Sequence, residues 1–178
     1  PPIQAICDLY YENGYTSNQF YPNYVRDSEK NSILCQLVVY EFPKSHIENI
    51  IIKGNTKTKD YVILREIPIE SGDVFSKVKV ENGLRNLYNT QFFSAIMPEF
   101  VSGSEQNLVD MIVTVEEGAT TSVEFGVTFS GVTEPGSWPI SLFAKWQDSN
   151  LLGTGKTISA SIEASKTKQA IGFGYTER

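Results

Sequence analysis

Glu48-Asn49-Ile50-Ile51-Ile52-Lys53-Gly54-Asn55 and, further on, Val113-Thr114-Val115-Glu116-Glu117-Gly118 bracket the stretch that decides the fold. The first is a strand that turns at Gly54-Asn55, the second a strand that stops at Gly118. Between them lie two helical patterns. Thr58 stands where a helix N-cap would, Ile63, Leu64 and Ile67 form an apolar stripe, and Pro68 ends it. After the loop Glu70-Ser71-Gly72-Asp73, Ser76 is placed to cap a second helix from about Lys77 to Asn89, with Val80, Leu84, Leu87 and Tyr88 at i, i+4, i+7 and i+8. Phe92-Phe93 then lead into Ser94 to Phe100, a polar turn at Ser102-Gly103-Ser104-Glu105, and a strand with Val109, Met111, Val113 and Val115 alternating. The order is strand, helix, helix, strand, strand. So short a chain cannot cover both faces of a three-stranded sheet, so the helices are expected on one face, with the other face and an edge strand wet.

Upstream, Ile3, Ile6, Leu9, Tyr10 and Asn13 share one helical face and Gly14 stops the helix. Gln19 to Arg26 reads as an edge strand interrupted by Pro22, Asp27 to Asn31 as a turn, and Ile33, Cys35, Leu37 and Val39 as a half-buried strand. Leu9-Tyr10 matches Leu87-Tyr88 at an offset of 78 residues, and Val39 matches Val115 at 76. These offsets predict an internal repeat whose first copy lacks its opening strand and helix, and a rod-like array of modules.

Beyond Gly118 the helical period vanishes. Val123, Phe125, Val127 and Phe129; Ile140, Leu142, Ala144 and Trp146; Ile158, Ala160, Ile162 and Ala164; and Ile171, Phe173 and Tyr175 each alternate with small or polar residues. A soluble sandwich can alternate in this way. The Ser, Thr and Gly on the second face, with no helix to cover the sheet, fit the outer-membrane barrel pattern better: lipid outside, water inside. Four strands cannot close, so further strands are expected elsewhere in a longer chain.

The 178 residues carry a net charge of −6, which argues against a broad nucleic-acid footprint. No run of 18 apolar residues predicts a transmembrane helix. No signal peptide is visible, and Pro1-Pro2-Ile3 begins in mid-structure, as in a piece of a longer protein. Cys7 and Cys35 are expected as unpaired thiols, although an oxidising compartment would permit a bridge. The single histidine, His46, is expected to be a solvated linker residue, with no metal site. Asn150-Leu151-Leu152-Gly153-Thr154-Gly155-Lys156-Thr157 imitates a phosphate loop. Position 150 is not Gly, however, and a strand follows where a helix is needed, so a tight turn is expected and no nucleotide. No nucleophile has a neighbouring base, so no catalytic residue is assigned. Glu116-Glu117 is expected to be a solvated strand end.

The sequence resembles a known family. Ile50 to Asn55 with Thr58, Ile63-Leu64-Arg65-Glu66, Gly72-Asp73-Val74-Phe75-Ser76, Leu84 to Tyr88, Phe92-Phe93 and Val115 to Gly118 are similar to a POTRA (polypeptide-transport-associated) domain. Asp148 to Gly155 resembles the turn after the second barrel strand in BamA-like outer-membrane assembly factors. The first copy departs at Phe42-Pro43, where the second has Glu117-Gly118.

The resemblance implies an α+β chain: residues 1–44 the C-terminal part of a POTRA domain, 45–118 a complete β-α-α-β-β POTRA domain and the last before the barrel, and 119–178 the first four antiparallel strands of a transmembrane β-barrel. It implies assembly and insertion of outer-membrane proteins without catalysis or cofactor. The implied partners are unfolded outer-membrane proteins, accessory lipoproteins and outer-membrane lipid. The implied place is the outer membrane of a diderm bacterium, with the POTRA part in the periplasm. Ser94, Ala95, Ile96, Met97, Glu99 and Phe100 are then the edge that accepts a client or partner strand. Val123, Phe125, Gly126, Val127 and Phe129 form the gate strand, with Gly126 giving flexibility or barrel taper. A two-partner-type secretion transporter and a non-transport β-rich surface protein are the alternatives.

Overall fold

The computed structural model describes residues 2–129, 140–165 and 169–177. In chain order the elements are α1 (Pro2–Glu12), β1 (Gln19–Asp27), β2 (Ser32–Tyr40), β3 (His46–Lys53), α2 (Asp60–Leu64), α3 (Lys77–Thr90), β4 (Phe93–Ser102), β5 (Leu108–Glu117), β6 (Thr121–Phe129), β7 (Ile140–Asp148), β8 (Thr157–Ser165) and β9 (Gln169–Thr176). β1 and β2 form a ribbon, β3-β5-β4 a three-stranded sheet, and β6-β7-β8-β9 a four-stranded antiparallel meander. The expected strand-helix-helix-strand-strand module is therefore present, and four alternating strands follow it.

The chain forms two compact units whose division runs through the α/β module. The first comprises the residues through Lys53, Ile67–Arg85 and Met97–Val113; the second comprises Gly54–Glu66, Asn86–Ile96 and everything from Thr114.

In the first unit Ile47, Ile67, Ile69, Phe75, Val80, Met111, Ile112 and Val113 are buried. Ile112 is buried on the face opposite Met111 and Val113, so the central strand is dry on both sides there. His46 is no linker residue. It opens β3, with its amide donating to the Asn107 carbonyl at 2.8 Å and its Nδ1 3.1 Å from the Gly72 carbonyl oxygen. α1 ends before Gly14, whose φ is +90° and whose absent side chain leaves room for Val74. Tyr10 packs edge-on to Tyr15 and Phe20, both at 5.5 Å between ring centres. The ribbon is wetter than its alternation implies: Ile33 is 69% exposed and Cys35 is exposed, with only Leu37 and Val39 half-buried. Length explains this, because an 11-residue helix spans about 16 Å and a nine-residue strand about 30 Å, so α1 can shelter only part of the ribbon. Leu9 on α1 is exposed, whereas Leu87, to which the sequence matches it, is fully buried. Both cysteines are free.

In the second unit Val62, Ile63, Leu87, Phe92, Phe93, Ile96 and Val115 are buried. α2 covers only Asp60–Leu64 and its N-cap is Lys59; Thr58 does not cap it. α3 has the expected Ser76 cap, whose Oγ accepts from the Lys79 amide at 3.4 Å. Its buried positions are Val80, Gly83, Leu87 and Thr90, while Leu84 is half-buried and Tyr88 exposed, so two of the four expected stripe residues lie inside, joined by Gly83 and Thr90.

The meander keeps one register throughout. Val123 lies opposite Trp146, Trp146 opposite Ala160, and Ala160 opposite Phe173. Phe125, Ala144, Ile162 and Ile171 form the next row. These two rows are wholly apolar, with Phe125 83% exposed, and the same face ends in Thr121 and Asp148 at one margin and in Gln169 on β9. The other carries the rows Ser122, Gln147, Ser159, Gly174 and Glu124, Lys145, Ser161, Gly172.

Candidate functional site

The edge strands β4 and β6 and the turn that follows β7 are the candidate functional features among the described residues. β4 borders the three-stranded sheet, so Ser94, Ala95, Ile96, Met97, Glu99 and Phe100 lie on an edge strand, as expected. Pro98 sits among them, a residue without an amide donor that sheets accept at edges. The six are not equivalent. Ser94, Met97, Glu99 and Phe100 are exposed, Ala95 is half-buried and Ile96 is buried. The Phe100 ring meets Phe75 edge-on at 5.2 Å, and Phe75 meets Tyr11 at 5.3 Å. These rings and Phe42 line a groove of about 390 Å³. β3 is a second edge of the same sheet, one that the sequence pattern did not single out.

β6 borders the meander and pairs only with β7 among the described residues. Val123, Phe125, Val127 and Phe129 share its exposed apolar face. Gly126 lies opposite Phe143 on the polar face, and a Cβ there would stand 2.7 Å from the Phe143 ring. The Phe143 ring fills the space that a side chain at Gly126 would take. Gly172 and Gly174 are covered likewise by the hydroxyls of Ser161 and Ser159.

The turn from Asp148 to Lys156 does more than join β7 to β8. Leu151–Gly153 is one short 3-10 turn, with Leu152 at φ 54° and Gly153 at φ +74°. Asn150 is fully buried. Its Nδ2 donates to the Thr58 hydroxyl at 2.8 Å and its Oδ1 accepts from the Gly155 amide at 2.8 Å. The Lys59 amide donates to the Gly153 carbonyl at 2.9 Å. Lys57 Nζ reaches both Asp148 oxygens at 3.1 and 3.2 Å and the Thr120 hydroxyl at 2.8 Å. Thr120 in turn donates to Asp148 at 2.9 Å, and its carbonyl accepts from the Ser149 amide at 2.9 Å.

Glu117 is not a solvated strand end. Its carboxylate accepts from the amides of Thr58 at 2.6 Å, Lys57 at 2.9 Å and Thr56 at 3.2 Å. Desolvation pushes this carboxyl upward, but the hydrogen bonds from Thr58, Lys57 and Thr56 outweigh it and hold its pKa below the usual glutamate value. Loop 54–59, the linker 118–120 and turn 148–155 thus meet in one polar node. Sequence reading missed it because Thr58 and Glu117 each had an adequate local role. Asn150 and Thr58 are 92 residues apart. The available signal was the Gly153-Thr154-Gly155 pair of glycines, which marks a turn approached closely by other backbone.

The family described as surface antigen variable number repeat, POTRA, matches residues 45–118. An outer membrane protein assembly factor of Treponema pallidum is 49% identical over 176 residues, covering 99% of this chain and 21% of its own length. The outer membrane protein assembly factor BamA of Nitratidesulfovibrio vulgaris is 30% identical over 127 residues, 71% of this chain and 16% of the relative. The chain thus spans about a fifth of the length of the curated relatives it matches. Among solved structures, BamA from Haemophilus ducreyi lacking POTRA domains 1–3 superposes with a TM-score of 0.82 at 21% identity, over 98% of this chain and 32% of that one. CdiB from Escherichia coli superposes less well, at 0.59 and 18% identity, over 97% of this chain and 31% of its own. With its strand-helix-helix-strand-strand module running into an antiparallel meander, the chain belongs to the BamA-like, POTRA-containing proteins.

Proposed function

We propose that this chain is the junction region of a protein that assembles and inserts β-barrel proteins into the outer membrane of a diderm bacterium. Residues 45–118 are the last POTRA domain before the barrel and stand in the periplasm. Residues 1–44 are the C-terminal part of a preceding copy, and β6–β9 are the first strands in the lipid. The observation that carries this reading is the pair of wholly apolar central rows on one face of the meander. They run from Val123 to Phe173 and from Phe125 to Ile171 without a charge, and among the described residues no α-helix follows β6. Such a face is stable against hydrocarbon and costly in water.

The chemistry of the function is hydrogen bonding and burial, with no covalent step. An unfolded client strand finds unpaired N–H and C=O groups along β4, with Met97, Glu99 and Phe100 exposed beside it. β6 offers the second template at the membrane and serves as the gate. Accessory lipoproteins dock on the periplasmic modules. The two-partner secretion alternative rests on the weaker likeness to CdiB.

The reading is tested in phospholipid vesicles holding the full-length protein, with a urea-unfolded eight-stranded outer-membrane barrel as client. Insertion should accelerate over empty vesicles, and a photo-crosslinker at Met97 should capture the client during the reaction. Equal rates with and without the protein overturn the assembly reading; capture at Tyr61, an exposed α2 residue, in place of Met97 overturns the β4 assignment.

A further inference from the structure

The polar node occupies the base of the gate strand. Thr120 immediately precedes β6, and Thr121, the first residue of β6, is paired with Asp148, the last residue of β7. Lys57 reaches the root of the β6–β7 hairpin directly, at Thr120 and Asp148, while Thr58 and Lys59 hold the turn that leaves that root, at Asn150 and Gly153. On one side stand Lys57, Thr58 and Lys59 of loop 54–59; on the other stand Thr120, Asp148, Asn150 and Gly153. Glu117 closes the set from the end of β5.

The node is built as a rigid joint. Asn150 has no exposed surface, and its amide nitrogen and oxygen each have a partner. Asp148, 8% exposed, is held by Lys57, Thr120 and the Asn150 amide. A Cβ on Gly153 would lie 1.7 Å from the Lys57 carbonyl oxygen, so the two backbones are in direct apposition. A buried and fully satisfied polar network specifies one arrangement, because any displacement leaves a buried group unpaired.

Resting on the assembly function proposed above, we infer that Asn150, Thr58 and Lys57 are positioning residues: they clamp loop 54–59 to the root of β6, so that the gate strand presents its free edge from a fixed base. They touch no client. Their effect is on the rate of insertion and not on capture at β4, which lies outside the node.

The test uses full-length protein in phospholipid vesicles, comparing the parent with Asn150→Ala, Thr58→Val and Thr58→Ser. Barrel folding is checked by heat-modifiable gel mobility, and hydrogen exchange is followed in segments 55–60 and 119–126. Asn150→Ala and Thr58→Val should keep the folded gel mobility. They should exchange about tenfold faster in both segments, the population change that follows from losing one buried hydrogen-bond partner. Insertion of the urea-unfolded eight-stranded barrel should slow by a similar factor, with client crosslinking at Met97 unchanged. Thr58→Ser, which keeps the hydroxyl, should restore both readouts to parental values.

Exchange in 119–126 unchanged by Asn150→Ala overturns the clamp, whatever the activity. Faster exchange with parental insertion overturns the positioning role. If the parent itself inserts no client, the assembly reading fails while the exchange readout still decides the clamp. If Asn150→Ala does not fold, the Thr58→Val and Thr58→Ser pair decides alone: equal exchange in the two overturns the inference.

Discussion

Gly153 is held at φ +74° against a carbonyl group, so a methyl group there meets two penalties at once. The left-handed backbone alone costs a non-glycine residue on the order of 1–3 kcal/mol, and the apposed Lys57 carbonyl would have to move as well. Gly153→Ala should therefore lower the thermal midpoint of the folded protein in detergent, read by loss of the fast-migrating gel band. Leu152→Ala should leave it in place, since that side chain is 76% exposed; equal midpoints for the two variants would contradict the close apposition. Glu117 gives a pH signature. Its folded pKa is depressed, so its stabilising contribution is complete above the ordinary glutamate value of about 4.3 and is lost as pH falls through the lower folded value. The amide proton shifts of Lys57 and Thr58 should titrate in that acid window and become flat in Glu117→Gln. Flat shifts in the parent would refute the contact. Neither residue announced this in the sequence, because a hydrogen bond between Glu117 and Thr58, 59 positions apart, has no periodicity to betray it.

At the scale of elements, the apolar alternation was fully legible. All four meander strands fall where the period-two pattern put them, because one face meets a single environment along the whole strand. The helices were legible in kind and less so in detail. Val62, Ile63 and Ile67 are buried and Leu64 is exposed, since a five-residue helix turns too little to present a stripe. Gly83 takes a buried position on α3, where a Cβ would stand 3.1 Å from the Ile67 Cα, and an apolar pattern does not flag glycine as interior. The two faces of β6 should respond oppositely to charge. Phe125→Arg places a cation mid-strand on the apolar face and should cost about 2–4 kcal/mol at the bilayer midplane. Glu124→Arg, one residue earlier on the polar face, should cost far less. Urea unfolding of the full-length protein from phospholipid vesicles measures both, and equal costs would mean that the faces are misassigned.

For the whole molecule, the sequence matches Leu9-Tyr10 to Leu87-Tyr88, but it does not show that the two pairs have different surroundings. A pattern records which residues could be covered, and coverage depends on elements elsewhere in the chain. The same reasoning predicts solution behaviour. The 178-residue chain exposes Phe125, Phe129, Ile171 and Phe173 on one sheet face, with Phe173 85% exposed. It should stay dispersed in detergent micelles and precipitate on their removal, whereas residues 1–118 should remain in solution, as sedimentation after detergent dialysis would report. A 178-residue chain that stayed monomeric without detergent would favour a sandwich over a barrel.

The three residues Gly118, Ala119 and Thr120 are all that separates Glu117 from β6, and both ends of that span are tied to residues 56–58. The join between the two halves of the protein is therefore not a linker that can be cut and re-spliced at one point. A chimera that grafts this α/β module onto another barrel has to carry residues 54–59, 117–120 and 148–155 from a single parent, three separate stretches inherited as one part.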